Sequence, residues 1–332
     1  MPASKNSKSV VSKLFRKQGE ILDISITSTP KQELLAKIET YLSEKSNFEA
    51  KKPLFITTPN PEQVVLASDD PSFAKILNKS DISLCDGTGL LIGLEYLTKY
   101  QDKLGSIKKN YRRKVEVGSV KINKYVKSAR KKQKFAVEVI KKVALFVKSS
   151  IYVLKNNSST DGSKVIKGRE FVLRLLDVAN THRYKVFLLG STINVISRTK
   201  EILTKKYPAV RFQFEYDLKV DLNGVPVSKK HYRNEELVVN RINRFHPQML
   251  FVAFGAPKQE KWVYRCLKNL NVDLVMVCGS AFDHIAGTRK QVPPVVSRFG
   301  MEWLWRLFTG SQTFERIHNA VIRFPILLLN SD

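Results

Sequence analysis

The sequence predicts an α/β fold: a doubly wound, mainly parallel sheet interrupted by a basic helical insert and closed by a C-terminal helical appendage. Three observations predict it. Short apolar runs alternate with amphipathic segments along most of the 332 residues, the rhythm of strands connected by helices that cover both faces of a sheet. Polar clusters recur where those runs end. Two stretches, one strongly basic and one rich in arginine and aromatic residues, break the alternation.

The first 20 residues hold Lys5, Lys8, Lys13, Arg16 and Lys17 with no acid before Glu20, so residues 1–20 read as a basic flexible tail. The core is then expected over 21–100 and 166–285. Its first half reads as a strand from Ile21 to Ser28, a helix from Lys31 to Ser46 and a strand from Pro53 to Thr57. A helix from Pro61 to Asn78 and a strand from Ile82 to Cys85 follow, the latter running into "DGTGLL".

Residues 101–165 form the insert. Between 101 and 160 there are 17 lysines and arginines against Asp102, Glu116 and Glu138, a local excess of +14 within a chain total of +27. Ala136, Ile140, Val143, Val147, Ile151 and Leu154 recur at helical spacing, with lysines elsewhere on the wheel. This basic amphipathic helix can pack its stripe on the domain, lay it on a membrane surface, or serve a nucleic acid.

The alternation resumes with a helix from Arg169 to Thr181, a strand from Tyr184 to Leu189 and a helix from Asn194 to Tyr207. A strand from Val210 to Tyr216, a helix from Lys230 to Phe245 and a strand from Met249 to Phe254 come next. The last units are a helix after "GAPKQ" and a strand from Leu274 to Cys278. Residues 286–332 form the appendage, where Arg306 lies among Trp303, Leu304, Trp305, Leu307 and Phe308. Arg316 and Arg323 are seven residues apart, so one side of a helix can present both.

Composition limits the function. The net charge of +27 calls for an anionic partner: a phosphorylated substrate, a phospholipid surface or a nucleic acid. Cys85, Cys266 and Cys278 have neither disulfide-framework nor zinc-site spacing and fit a reducing cytoplasm. No apolar run reaches the roughly 18 residues of a membrane span, so membrane contact is expected from the side.

The three strand-end clusters are "TTPNPEQ" at 57–63, "CDGTG" at 85–89 and "GAPKQE" at 255–260. Ligands bind at the carboxyl ends of strands in such sheets, which makes the recurrence a site argument. Asp86, beside Gly87 and Gly89, can serve as a general base or as a helix N-cap. Gly93 comes one residue too late for a dinucleotide fingerprint, and the chain has no phosphate-binding P-loop, no serine elbow and no H-x-E pattern. It also lacks a D-x-D pair, so no metal is expected on a diphosphate; arginines, helix N-termini and backbone amides are left to stabilise an anionic leaving group.

The segments beginning "TTPNPEQVVLASDD", "KVFLLGS", "FVAFGAPKQEKWV" and "GSAFDHIAGTRKQVPPVVSRFG" resemble, in order and spacing, the WecG/TagA/CpsF glycosyltransferases over about 21–100 and 166–329. The resemblance implies a Rossmann-like core and an inverting, metal-independent enzyme. Such an enzyme moves an N-acetylhexosamine, typically N-acetylmannosamine or its uronic acid, from a UDP donor to a polyprenyl-diphosphate-linked sugar in cell-surface polysaccharide synthesis. UDP-sugar, a lipid-linked acceptor and an anionic membrane surface are the implied partners, at the cytoplasmic face of the membrane and without a further cofactor.

By the same resemblance the base falls on Asp86. The substrate contacts fall on Thr58, Asn60, Gly87, Gly89, Lys258, Gln259, Glu260, Arg306, Arg316 and Arg323, with Gln259 expected to reach into the pocket. The chain departs from the family pattern at three places. "SKVIKGREF" offers no clean match to the family's arginine followed by a G-x-D element, Gly190-Ser191 replaces Gly-Gly, and a segment of about 60 residues stands where the family has a short link. A nucleic-acid-binding protein on a retired enzyme fold is the rival reading, with tail and insert as phosphate-binding arms.

Overall fold

A computed structural model describes residues 15, 17, 19–27, 29–44, 52–100, 124–156 (side chains 137–155), 166–289, 292–293, 296, 305, 308–310 and 312–331. The chain begins with a two-stranded antiparallel hairpin, β1 (Gly19–Ile21) and β2 (Ile24–Ile26). Sequence reasoning expects one strand here. Leu22 and Asp23 instead take positive φ values of 48° and 64°, which turn the chain back on itself.

Helix α1 (Lys31–Ser43) leads to β3 (Leu54–Thr57). The single helix expected after it is two, α2 (Pro61–Asp69) and α3 (Pro71–Lys79). Asp70 stands between them in extended conformation and accepts the Phe73 amide at 3.0 Å, so an Asp-Pro pair stops one helix and caps the next. Strand β4 (Ile82–Ser83) precedes helix α4 over 88–100 and the long helix α5 (Lys124–Asn156).

The second half is α6 (Gly168–Thr181), β5 (Lys185–Gly190), α7 (Ile193–Lys206), β6 (Arg211–Glu215), α8 (Lys229–Phe245) and β7 (Met249–Ala253). It continues with α9 (Lys258–Cys266), β8 (Leu274–Val277) and α10 (Ala281–Ile285), and the C-terminal helices α11 (Phe314–His318) and α12 (Phe324–Asn330) are joined by a π turn over Asn319–Arg323.

Six strands make one parallel sheet in the order β4-β3-β8-β7-β5-β6, a Rossmann-like α/β architecture. Both faces are covered. Leu188, Phe251 and Met276 join the core on one side, while their neighbours Leu189, Val252 and Val277 join the core on the other. Strands buried on both sides read as continuous apolar runs, which is why they were legible.

A third core collects the hairpin, α2, α3, α4, Leu145 of α5, and Phe324 and Leu328 of α12. Two residues assigned to the tail belong to the folded body. Phe15 is buried, and Lys17 Nζ donates to the carbonyls of Leu77 and Asn78 at 3.0 and 3.1 Å, satisfying the end of α3. Burial lowers the Lys17 pKa to about 8.

Of the uses open to the α5 stripe, packing on the domain is not the one the fold adopts. Its core-facing residues are Leu145, Ser149 and Val153, with Phe146 edge-on to Tyr96 at 5.8 Å. Ile140, Val143, Val147, Ile151 and Leu154 stay exposed. Among the described residues no helix is long and apolar enough to cross a membrane.

Candidate active site

The loops after β3, β4, β5, β7 and β8 all leave the carboxyl edge of the sheet, and the first two are laced together. Asp86 donates its amide to the Pro59 carbonyl at 3.1 Å. Beyond the insert, the Ile166 amide donates to the Cys85 carbonyl at 3.0 Å, returning the chain beside Asp86. A Cβ on Gly168 would stand 2.9 Å from Thr58 Cγ2 and 3.4 Å from Asp86 Oδ2. Only glycine lets α6 begin this close, so Thr58, Asp86 and the first turn of α6 converge.

The neighbours have local duties as well. Asn60 Oδ1 accepts the Gln63 amide at 2.9 Å and caps α2. Gly87 takes φ 97°, and a Cβ on Gly89 would stand 2.7 Å from Pro61 Cγ. The two glycines thus permit a left-handed turn and a close approach of α4 to the start of α2.

The "GAPKQE" segment answers the sequence differently from what was expected. Gln259 is 1% exposed and does not reach outward. Its Oε1 accepts the amides of Gly255 at 3.2 Å and Gly279 at 3.1 Å, and its Nε2 donates to Glu260 Oε1 at 3.0 Å. The side chain therefore ties the loop after β7 to the loop after β8. Lys258 is half-buried at the head of α9.

Glu260 is fully buried, and its Oε2 has no hydrogen-bond partner among the described residues. Desolvation, opposed by the Gln259 hydrogen bond and reinforced by the charge of Glu62, pushes its carboxyl up to about 7. Glu62, itself buried, accepts from Arg316 Nε at 2.6 Å and from Gln312 Nε2 at 3.3 Å. One turn pair farther along, Arg323 donates to both Asp69 carboxylate oxygens at 2.9 and 3.0 Å. Glu62 and Asp69 match the seven-residue spacing of the arginines, so α2 and the C-terminal helices pair acid to base in register.

Arg306 lies outside the described residues. Residues that sequence reasoning missed are Glu62, hidden in the α2 cap motif, and His284, whose Nε2 stands 3.4 Å from Arg169 Nη1. Arg169 follows Gly168 in the first turn of α6. The three thiols are buried, which pushes Cys85 and Cys266 up to about 12 and raises Cys278 as well. A cleft lined by Phe187, Phe214, Glu215, Arg241 and Arg244 lies at the β6 edge, away from Thr58 and Asp86.

The chain is similar to the N-acetylglucosaminyldiphosphoundecaprenol N-acetyl-beta-D-mannosaminyltransferases of Staphylococcus aureus strains NCTC 8325 / PS 47 and MRSA252. Each is 24% identical over 303 residues, covering 91% of this chain and 89% of the relative. Residues 19–108 and 104–331 match the Glycosyl transferase WecG/TagA/CpsF family, and the chain belongs to that family.

Proposed function

We propose that this protein transfers an N-acetylhexosamine, N-acetylmannosamine or its uronic acid, from a UDP-sugar to a polyprenyl-diphosphate-linked sugar during synthesis of a cell-surface polymer. The observation that carries the reading is the convergence of Asp86, Thr58 and the α6 N-terminus at the carboxyl edge of the sheet. The first turn of a helix favours an anion, as a nucleotide-sugar diphosphate requires. The relatives' names supply the acceptor class: a sugar on diphosphoundecaprenol.

In this reading the acceptor hydroxyl attacks the anomeric carbon while Asp86 takes its proton. The bond from that carbon to the diphosphate oxygen breaks, UDP departs with the electron pair, and the configuration inverts. Thr58 and Asn60 orient the sugars. Gln259 holds the loops after β7 and β8 in place, with Gly87, Gly89, Lys258 and Glu260 forming the surrounding wall. Arg306, Arg316 and Arg323 offset charge on a diphosphate, the last two by exchanging a carboxylate partner for it. The enzyme works without a metal at the cytoplasmic face of the membrane that holds its acceptor.

The test is UDP release and product formation with a panel of UDP-sugars and a short-chain lipid-diphosphate-GlcNAc acceptor. Asp86→Asn should keep the fold and slow transfer at least about a hundredfold. A variant that keeps most of its turnover removes Asp86 from the chemistry.

A further inference from the structure

Helix α5 carries two apolar faces, and the fold uses one. At about 100° per residue, Leu145, Ser149 and Val153 occupy one side of the wheel. All three are buried. Ile140, Val143, Val147, Ile151 and Leu154 lie on the opposite side, 66%, 42%, 48%, 48% and 39% exposed. The exposed row is about 21 Å long. Lys141, Lys148 and Lys155 run beside it at seven-residue spacing, while Glu138, the one acid between 137 and 156, falls on the far side.

The helix is also fixed to the body. Lys142 Nζ donates to the Leu329 carbonyl at 3.1 Å, Lys99 sits 4.2 Å from the Tyr152 ring centroid, and Phe146 packs on Tyr96. The exposed row is thus held outward by its own packed face.

We infer that the outward face of α5 docks on an anionic lipid bilayer, its aliphatic row entering the headgroup boundary and its lysine row meeting lipid phosphates. Charge decides the occupant. A second copy laid on the same row would bring two sets of lysines together, whereas an anionic surface offsets them. An aliphatic row of this length has no counterpart in binding to nucleic-acid phosphates. Through Lys142 the docked helix would set α12 at the same surface. The inference rests on the reading that the acceptor is membrane-held, but its test needs neither donor nor acceptor.

The experiment is co-sedimentation of the full chain with phosphatidylcholine vesicles, with and without phosphatidylglycerol. The unaltered protein should pellet with the anionic vesicles. A variant carrying Ile140→Ser, Val147→Ser and Ile151→Ser should bind them at least about tenfold more weakly, with an unchanged melting curve and unchanged transfer to a water-soluble acceptor analogue. A second variant, Lys141→Gln, Lys148→Gln and Lys155→Gln, keeps the aliphatic row and should lose the preference for anionic over neutral vesicles. If the serine variant unfolds, the glutamine variant decides. Equal vesicle binding by the unaltered chain and a folded variant overturns the inference, as does failure of the unaltered chain to pellet. Concentration-dependent self-association abolished by the serine changes, with vesicle binding intact, assigns the face to a second copy instead. Loss of vesicle binding with transfer preserved separates this inference from the enzymatic reading.

Discussion

Ser191 stands at φ 66°, in the left-handed region where a Cβ is crowded and glycine is at ease. The chain departs from the Gly-Gly pattern here, and the serine takes a conformation that favours glycine. Ser191→Gly should raise stability by about 0.5–1 kcal/mol, the relief of the strained backbone being partly offset by a more flexible unfolded chain. An unchanged or lower urea midpoint would count against strain at this position. Glu260 gives a second prediction at this scale. Its carboxyl stands at about 7 in the folded chain against the ordinary 4.5, so the folded state keeps the proton over a window where the unfolded state releases it. The stability linked to this group is present below about 4.5 and is lost as pH rises through 7. Glu260→Gln should therefore flatten the decline, gaining on the unaltered protein between pH 5 and pH 8 in urea titrations. Parallel curves would mean the carboxyl is not buried as described.

Asp70 joins two elements and a third. Burial pushes its carboxyl up, yet hydrogen bonds from Lys261 at 2.6 Å, Ser72 and the Phe73 amide prevail and hold it at about 2. It caps α3 and anchors α9, since Lys261 is 9% exposed. Asp70→Ala should cost about 2–3 kcal/mol, a lost cap together with a buried ammonium left short of a partner. A loss near zero in chemical denaturation would show that α3 and α9 hold without it. The same break between α2 and α3 was present in the sequence as "DDPS", where aspartate and proline mark a helix start. Apolar periodicity runs through it on both sides, and that continuity made one helix of two.

Across the whole chain, acids and bases are distributed unevenly, and no D-x-D pair occurs among the 30 aspartates and glutamates. Turnover is therefore expected to persist in EDTA, with arginines and helix amides stabilising the departing diphosphate. Loss of activity in EDTA and recovery with magnesium or manganese would overturn that part of the proposal. The candidate site was partly legible. Thr58 and Asp86 stood out as candidates because a strand that ends in a polar cluster announces itself locally. Glu62 was not, because its partners Arg316 and Gln312 come from more than 240 residues away.

The sequence by itself determined the alternation of buried strands and covering helices, the edge of the sheet where the candidate site lies, and the family. Those properties are written in contiguous residues: a doubly buried strand must be apolar throughout, and its end must turn polar. Tertiary structure alone decided the rest. It turned Leu22-Asp23 into a hairpin, drew Phe15 and Lys17 into the body, gave Arg316 and Arg323 their acidic partners and turned Gln259 inward to brace two loops. It also chose which apolar face of α5 to bury. Periodicity can show that a helix has such faces, but the shape and polarity of what packs against it, here Tyr96 and α12, select between them.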